Sequence, residues 1–338
     1  MRSLTAAYSV AVVASCGLAI DVNAQDGPTR NRRPDLPGLH HESVAFDVGR
    51  ERLVVVFAAG DSLKGTWEWD GRGWTMTADS ASSPTWRYGA TMGYDPSNRR
   101  LMLFGGWQLY PQAGAGFRMF CDTWGFDGRR WSLLADGPCV TTRVRNNSLV
   151  YDSRRGAMLL VDGTPEVPGD SVRPLRLWRW SGNGWALLDS LGPRRAGWNR
   201  AVFDEGRSVL VFPVFEGPDA GVWEWDGERW RHVAVGDGPS ARHVHALQYD
   251  PRRRQVVLVG GQTVTRPSTY LGDAWTWDGT RWAPLHLPNV PPARAGAALL
   301  DDSRHGRLLY FGGYSGPPMR MWPELWLLDD AEWRRWTP

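Results

Sequence analysis

One cationic side chain recurs at a single register of this chain. Counting eight residues back from an aspartate that ends an apolar segment gives Arg87, Arg242 and Arg294. Arg145 and Arg195 lie within one position of the same register, and His40 takes the place in the first repeat. Guanidinium groups at one level of a repeated structure allow two chemistries. They form a ring of fixed cations that holds an anionic ligand such as a sugar acid, or each pairs locally with carbonyls and a carboxylate to fix its own backbone. Histidines are the second candidate set. In Arg242-His243-Val244-His245 the period of two puts both imidazoles on one side of a strand, and His40-His41-Glu42 opens an equivalent strand. His41, His243 and His245 are therefore the candidates for a metal held across a channel, against the plain reading of hydrogen-bonded histidines. Aromatic residues form the third set: Trp107, Tyr110, Phe117, Phe120, Tyr270, Tyr314 and Trp322, beside Arg118, Arg173, Arg266 and Arg320. Rings next to guanidinium groups suit a carbohydrate or a protein partner, or they pack their own loops. No Gly-x-Ser-x-Gly, Gly-x-x-x-x-Gly-Lys or Cys-x-x-Cys is present, and nothing calls for a cofactor.

The elements that position these residues are legible as a repeat. Gly221-Val222-Trp223-Glu224-Trp225-Asp226-Gly227-Glu228-Arg229-Trp230 reads as a strand, an Asp-Gly turn and the start of a returning strand. The unit recurs around Trp67-Glu68-Trp69, Trp124-Gly125-Phe126, Trp178-Arg179-Trp180, Trp275-Thr276-Trp277 and Trp326-Leu327-Leu328. Its closing tryptophans, 74, 131, 185, 230, 282 and 333, lie 57, 54, 45, 52 and 51 residues apart. Ahead of each hairpin stand two more segments. One ends in the turn aspartate, as in Leu247-Gln248-Tyr249-Asp250; the next is almost wholly apolar, as in Val256–Val259. Apolar runs without a polar face fit strands covered on both sides.

Four short antiparallel strands repeated six times predict an all-β, six-bladed β-propeller. A lone four-stranded meander cannot bury both faces, so the blades must cover one another. Blade bounds are expected near 38–84, 85–139, 140–193, 194–239, 240–292 and 293–338. Each repeat is complete from first to fourth strand, so the ring closes without a swapped strand or the leader stitches it shut. Strand alternation sends the short, uniform 1–2 and 3–4 turns to one face. The other face receives the 4–1 connections and the variable 2–3 connections, where binding is expected.

The apolar run ending in Gly-Gly, then Asp-Thr-Trp or its equivalent, then a tryptophan six to eight residues on resembles the Kelch repeat. Leu101–Gly106 with Asp122-Thr123-Trp124 and Trp131 matches best, followed by Val256–Gly261 with Asp273-Ala274-Trp275 and Trp282. The resemblance covers residues 38–338 and departs in repeats 1, 3 and 4, which lack the double glycine. It implies a galactose-oxidase-like propeller. The copper and Tyr–Cys chemistry of galactose oxidase finds no counterpart among three cysteines, of which one lies in the leader and two flank a hairpin. A bacterial sialic-acid epimerase is similar in size, export and blade number.

The first 24 residues read as a signal peptide: Arg2, an uncharged apolar run from Leu4 to Ile20, and Val22-Asn23-Ala24 before the cut. Val13-Ala14-Ser15-Cys16 also resembles a lipobox, which would anchor the protein through Cys16. Residues 25–37 read as a proline-bearing extended leader. Export permits a disulfide, and Cys121 and Cys139 on either side of the Asp127-Gly128 hairpin are the expected pair. A net charge of +3 with no basic run argues against nucleic acid, and no apolar stretch is long enough to span a membrane. The expected function is a secreted or periplasmic binding module for protein or carbohydrate on the 2–3/4–1 face. The rival is an epimerase- or oxidase-like sugar or sugar-acid enzyme at the mouth of the axial channel.

Overall fold

The computed structural model describes the backbone of 32–33 and residues 43–57, 64–110, 116–137, 147–162, 174–193 and 199–337. All belong to one compact unit, Asn31–Pro338. The stretches read as signal peptide and lipobox and most of the stretch read as leader lie outside the described residues, as do His40, His41, Cys139, Arg145 and Arg195.

Six antiparallel sheets follow one another along the chain, each built from four consecutive strands. In blade 1 these are Val44–Asp47, Arg52–Phe57, Gly65–Trp69 and Trp74–Asp79. In blade 4 they are Val202–Asp204, Val209–Val214, Gly221–Trp225 and Trp230–Val233. The first strands of successive blades are neighbours all the way round, and the first strand of blade 6 (Ala295–Asp302) lies beside that of blade 1. The circle therefore closes at six, with every blade complete from contiguous sequence. The described part of the leader, Arg32–Arg33, pairs with Trp74 and Thr75 on the outer edge of blade 1 and not with the last blade.

The tryptophans explain the closure. Trp225 packs in a cluster with Leu159, Val161 and Leu177 of blade 3, and Trp277 with Val202 and Val211 of blade 4. Trp74 packs with Leu309 and Phe311 of blade 6. Period-two alternation thus aims each hairpin's rings at the preceding blade, and each large ring buries roughly 150–250 Å² there. Helical structure among the described residues is confined to short 3-10 segments such as Ser303–His305, and none of them is long and apolar enough to cross a membrane.

The face of short turns is occupied by joints between blades. The Asp47, Asp152 and Asp250 carboxylates hold Arg50, Arg155 and Arg253 of their own turns. These arginines donate onward to the Gly128 carbonyl at 3.5 Å, the Asp226 carbonyl at 2.5 Å and the Asp329 carbonyl at 2.7 Å, each in the next blade. The other three joints carry Ser97 with Tyr151 at 2.6 Å, Trp277 Nε1 donating to Glu224 at 3.0 Å, and Arg304 with Glu51 at 2.6 Å. Polar groups spent this way hold the ring together.

Candidate functional site at the channel mouth

Three of the register arginines are blade clamps. Arg242 is buried, and all five of its N–H donors are used. Nε donates to the Ser240 carbonyl at 3.0 Å, and Nη1 to the Gly260 carbonyl at 3.1 Å and Asp273 Oδ1 at 2.7 Å. Nη2 donates to Ser240 Oγ at 3.2 Å and Asp273 Oδ2 at 2.8 Å. Arg87 repeats the pattern with the Thr85 and Gly105 carbonyls and Asp122. Arg294 repeats it with the Pro292 and Gly312 carbonyls and Glu324. The reading of Arg87, Arg242 and Arg294 as a ligand-holding ring gives way to the structural one. Their charges point into their own blades, where carbonyls and the carboxylates of Asp122, Asp273 and Glu324 satisfy them; the arginines are buried, while the Asp273 side chain stays 40% exposed.

The double glycine is the other half of this clamp. A Cβ on Gly106, Gly261 or Gly313 would stand 2.9, 2.7 or 2.8 Å from the carbonyl of Tyr88, His243 or Ala295, and all three glycines have positive φ. Only a residue without a side chain lets the incoming first strand pass so close. Beyond the bulge the second and third strands continue as hairpins: Trp107–Tyr110 with Gly116–Met119, Gln262 with Tyr270, and Tyr314 with Met321. Blade 3 exchanges the charges. Asp162 stands in the first glycine's place and pairs with Arg176, which occupies the position of Asp122 (Nε to Oδ2 2.9 Å).

The two carboxylate settings have opposite pH signatures. Burial raises Asp273, yet hydrogen bonds from Arg242 and Trp275 outweigh it and hold the group below its ordinary value. Glu324 is lowered in the same way, by Trp326 and Arg294 against burial. A carboxylate lowered by folding stabilises above its unfolded pKa, and that stability is lost as pH falls through the folded value. Asp162 is the reverse: burial dominates over Arg176 and pushes it up to about 6. Between its ordinary 3.8 and about 6 the folded state binds the extra proton, so stability falls as pH rises through this window. Asp162→Asn is expected to remove that fall, read as a shallower slope of unfolding free energy in urea titrations across the same window.

The aromatic candidates divide. Trp322 is buried, its ring held between Arg294 (Cζ 4.5 Å from the centroid) and Arg320 (3.9 Å), with Nε1 donating to Ser315. Phe120 sits likewise between Arg87 and Arg118. Both rings cover clamp arginines, which places Trp322 in the packing of its own blade rather than open on the face. Trp107, Tyr270 and Tyr314 stay half-buried on the face of long connections. Tyr270 meets Tyr314 edge-on at 6.1 Å. Trp107 lies 5.1 Å from Tyr88, which is 5.5 Å from Trp86, and Lys64 Nζ sits 5.6 Å over Trp86. Trp86 and Tyr88 are absent from the sequence-derived set, although Tyr88 follows a register arginine as His243 does. The side chains of Tyr110 and Phe117 lie outside the described residues.

Among the described residues no group of three or more His, Cys, Asp or Glu is arranged to hold an ion, and His41, the third candidate, lies outside them. His243 Nε2 lies 3.4 Å from Glu216 Oε1, a carboxylate that follows the second strand of blade 4. His245 is fully buried with neither ring nitrogen bonded, and lies edge-on to Phe215 at 5.2 Å. Burial, then the charges of Arg242 and Arg200, keep it neutral by pushing its pKa well below the ordinary value. Cys121 is disulfide-bonded; its expected partner Cys139 lies outside the described residues.

No family model matches the chain, and no curated protein matches it. Among solved structures the chain is similar to "Structure of YjhT", with a TM-score of 0.64 and 15% identity over 90% of this chain and 99% of that one. A likeness at this identity extends to the fold, a β-propeller, and no further.

Proposed function

We propose that this protein is an exported, Kelch-type binding module that recognises carbohydrate through the face of 2–3 and 4–1 connections, without catalysis. The observation that carries the reading is the division of labour between faces. Polar groups on the short-turn side are spent in joints between blades, whereas the opposite side keeps Trp107, Tyr270, Tyr314, Tyr88 and Trp86 half-buried. Rings with one face open, near polar groups, suit the apolar face of a sugar and its hydroxyl rim. The clamps argue against the rival sugar-acid enzyme, because the guanidinium groups of Arg87, Arg242 and Arg294 donate to carbonyls and carboxylates of their own blades.

The test is a glycan array on the purified mature protein, followed by Trp107→Ala, Tyr270→Ala and Tyr314→Ala. Binding is expected to fall about tenfold or more in at least one variant, with Tm within a few degrees of wild type. Unchanged binding in all three, or a Tm drop like that of a core variant, would contradict it. Export is tested by fractionating cells that express the full chain: the reading requires the protein outside the cytoplasm.

A further inference from the structure

Blade 5 departs from its siblings at the start of its first strand. Where blades 2 and 6 read Tyr88-Gly89-Ala90 and Ala295-Gly296-Ala297, blade 5 reads His243-Val244-His245. Gly89 and Gly296 have φ of 68° and 69°, and Val244 is held at 56°, a conformation a β-branched residue adopts only under strain. His245 stands where its siblings place a small alanine against the preceding blade. It is fully buried there with both ring nitrogens unbonded. Both features cost stability, and the other blades show that neither is needed to build a propeller. Strain and unsatisfied buried polarity retained together point to a use.

Their common neighbour is the mouth between blades 4 and 5. His243 is half-buried beside Glu216, with side-chain exposures of 21% and 37%, and their closest approach of 3.4 Å is too long for a strong hydrogen bond. His243 Nδ1 is buried and unbonded. The clamp carboxylates Asp122, Asp273 and Glu324 are filled by arginine and tryptophan donors. Glu216 has only the long contact to His243 among the described residues.

We propose that this mouth is a subsite for the hydroxyl groups of a neutral sugar, with the Glu216 carboxylate and the His243 imidazole as the groups that bond them. Carboxylate oxygens only accept hydrogen bonds, so a ligand of Glu216 must bring hydrogen-bond donors. An ammonium ligand would meet Arg242 and Arg200, whose charges already act on His245. An acid ligand would meet Glu216. Neutral hydroxyls remain. Val244 and His245 are positioning residues that hold His243 at the mouth. The inference rests on the carbohydrate reading above and narrows its ligand.

The experiment is calorimetric titration of the purified protein with the methyl glycosides of glucose, galactose and mannose, with gluconate as the acid arm and glucosamine as the amine arm. At least one neutral glycoside is expected to bind, and the isosteric Glu216→Gln to weaken it about tenfold or more, the loss of a charge-assisted hydrogen bond. His243→Asn is expected to weaken it in the same direction, and thermal melts confirm that each variant is folded. Preference for gluconate or glucosamine overturns the proposal. So does wild-type affinity in Glu216→Gln, which, if Trp107→Ala or Tyr314→Ala still loses the sugar, leaves the binding function standing with its site elsewhere. No binding of any neutral glycoside or array glycan by the folded wild type overturns both.

Discussion

Arg242→Ala is expected to destabilise the protein by about 1.5–3 kcal/mol, the range for lost hydrogen bonds to a charged group, because the Asp273 side chain is 40% exposed and water reaches the carboxylate left behind. The substitution deletes five hydrogen bonds and leaves Asp273 without its counter-charge in a site where burial already raises it. It also frees the Gly260 carbonyl at the bulge where the first strand crosses. Arg242→Lys is expected to recover little, because an ammonium cannot reproduce the planar fork that spans carboxylate and carbonyl together. Urea unfolding of the two variants, with Asp273→Asn completing a double-mutant cycle, reads the effect directly. An arginine held out for a ligand would behave otherwise, with unchanged unfolding and lost binding.

Trp277→Ala is expected to cost more, ~3–5 kcal/mol, for a different reason. The ring is fully buried among Val202, Val211, Leu247 and Val256 at the joint of blades 4 and 5, and meets Trp282 at 5.4 Å. Truncation opens a cavity that two β-sheets cannot collapse to fill. It also removes the Nε1 donor from Glu224, which Arg207 still holds. Trp277→Phe separates the parts: most of the packing stays, the hydrogen bond goes, and the expected cost drops to about 1–2 kcal/mol. Trp223, half-buried at the first position of its hairpin, is expected to tolerate alanine better than Trp277 at the second. Thermal unfolding of the three variants orders them, and equal losses for Trp223→Ala and Trp277→Ala would contradict the assignment of the second ring to the inter-blade core.

How much was legible in the sequence follows from what each signal encodes. The hairpin Trp223-Glu224-Trp225-Asp226-Gly227 states its own period and turn, and six copies leave the ring as the only way to shelter their rings. The clamp was legible too, but only as a correlation. Arg87, Arg242 and Arg294 occur in the repeats that also carry Gly-Gly and an acid two residues before tryptophan. Those repeats number three, and the three lacking Gly-Gly have Gly65, Arg176 and Gly221 in the acid's place. Taken together these positions spell one buried device; taken singly the arginines look like a ligand ring. Burial of Trp322 was not legible, because a ring in a long connection says nothing about the guanidinium groups that fold over it. Glu216 escaped notice because its significance depends on facing His243 across two blades, a contact no local spacing records. The added strand Arg32–Arg33 was unreadable as well, since two residues of a charged leader carry no strand pattern.

Hydrogen–deuterium exchange of the protein with and without its best array glycan tests the central claim most directly. The account predicts protection confined to the 2–3 and 4–1 connections, with 215–220 and 242–245 among the protected segments. Exchange at the short turns, such as 97–100 and 226–229, is predicted to be unchanged. Protection at those turns, with the long connections unaffected, would put recognition on the wrong face and contradict the account.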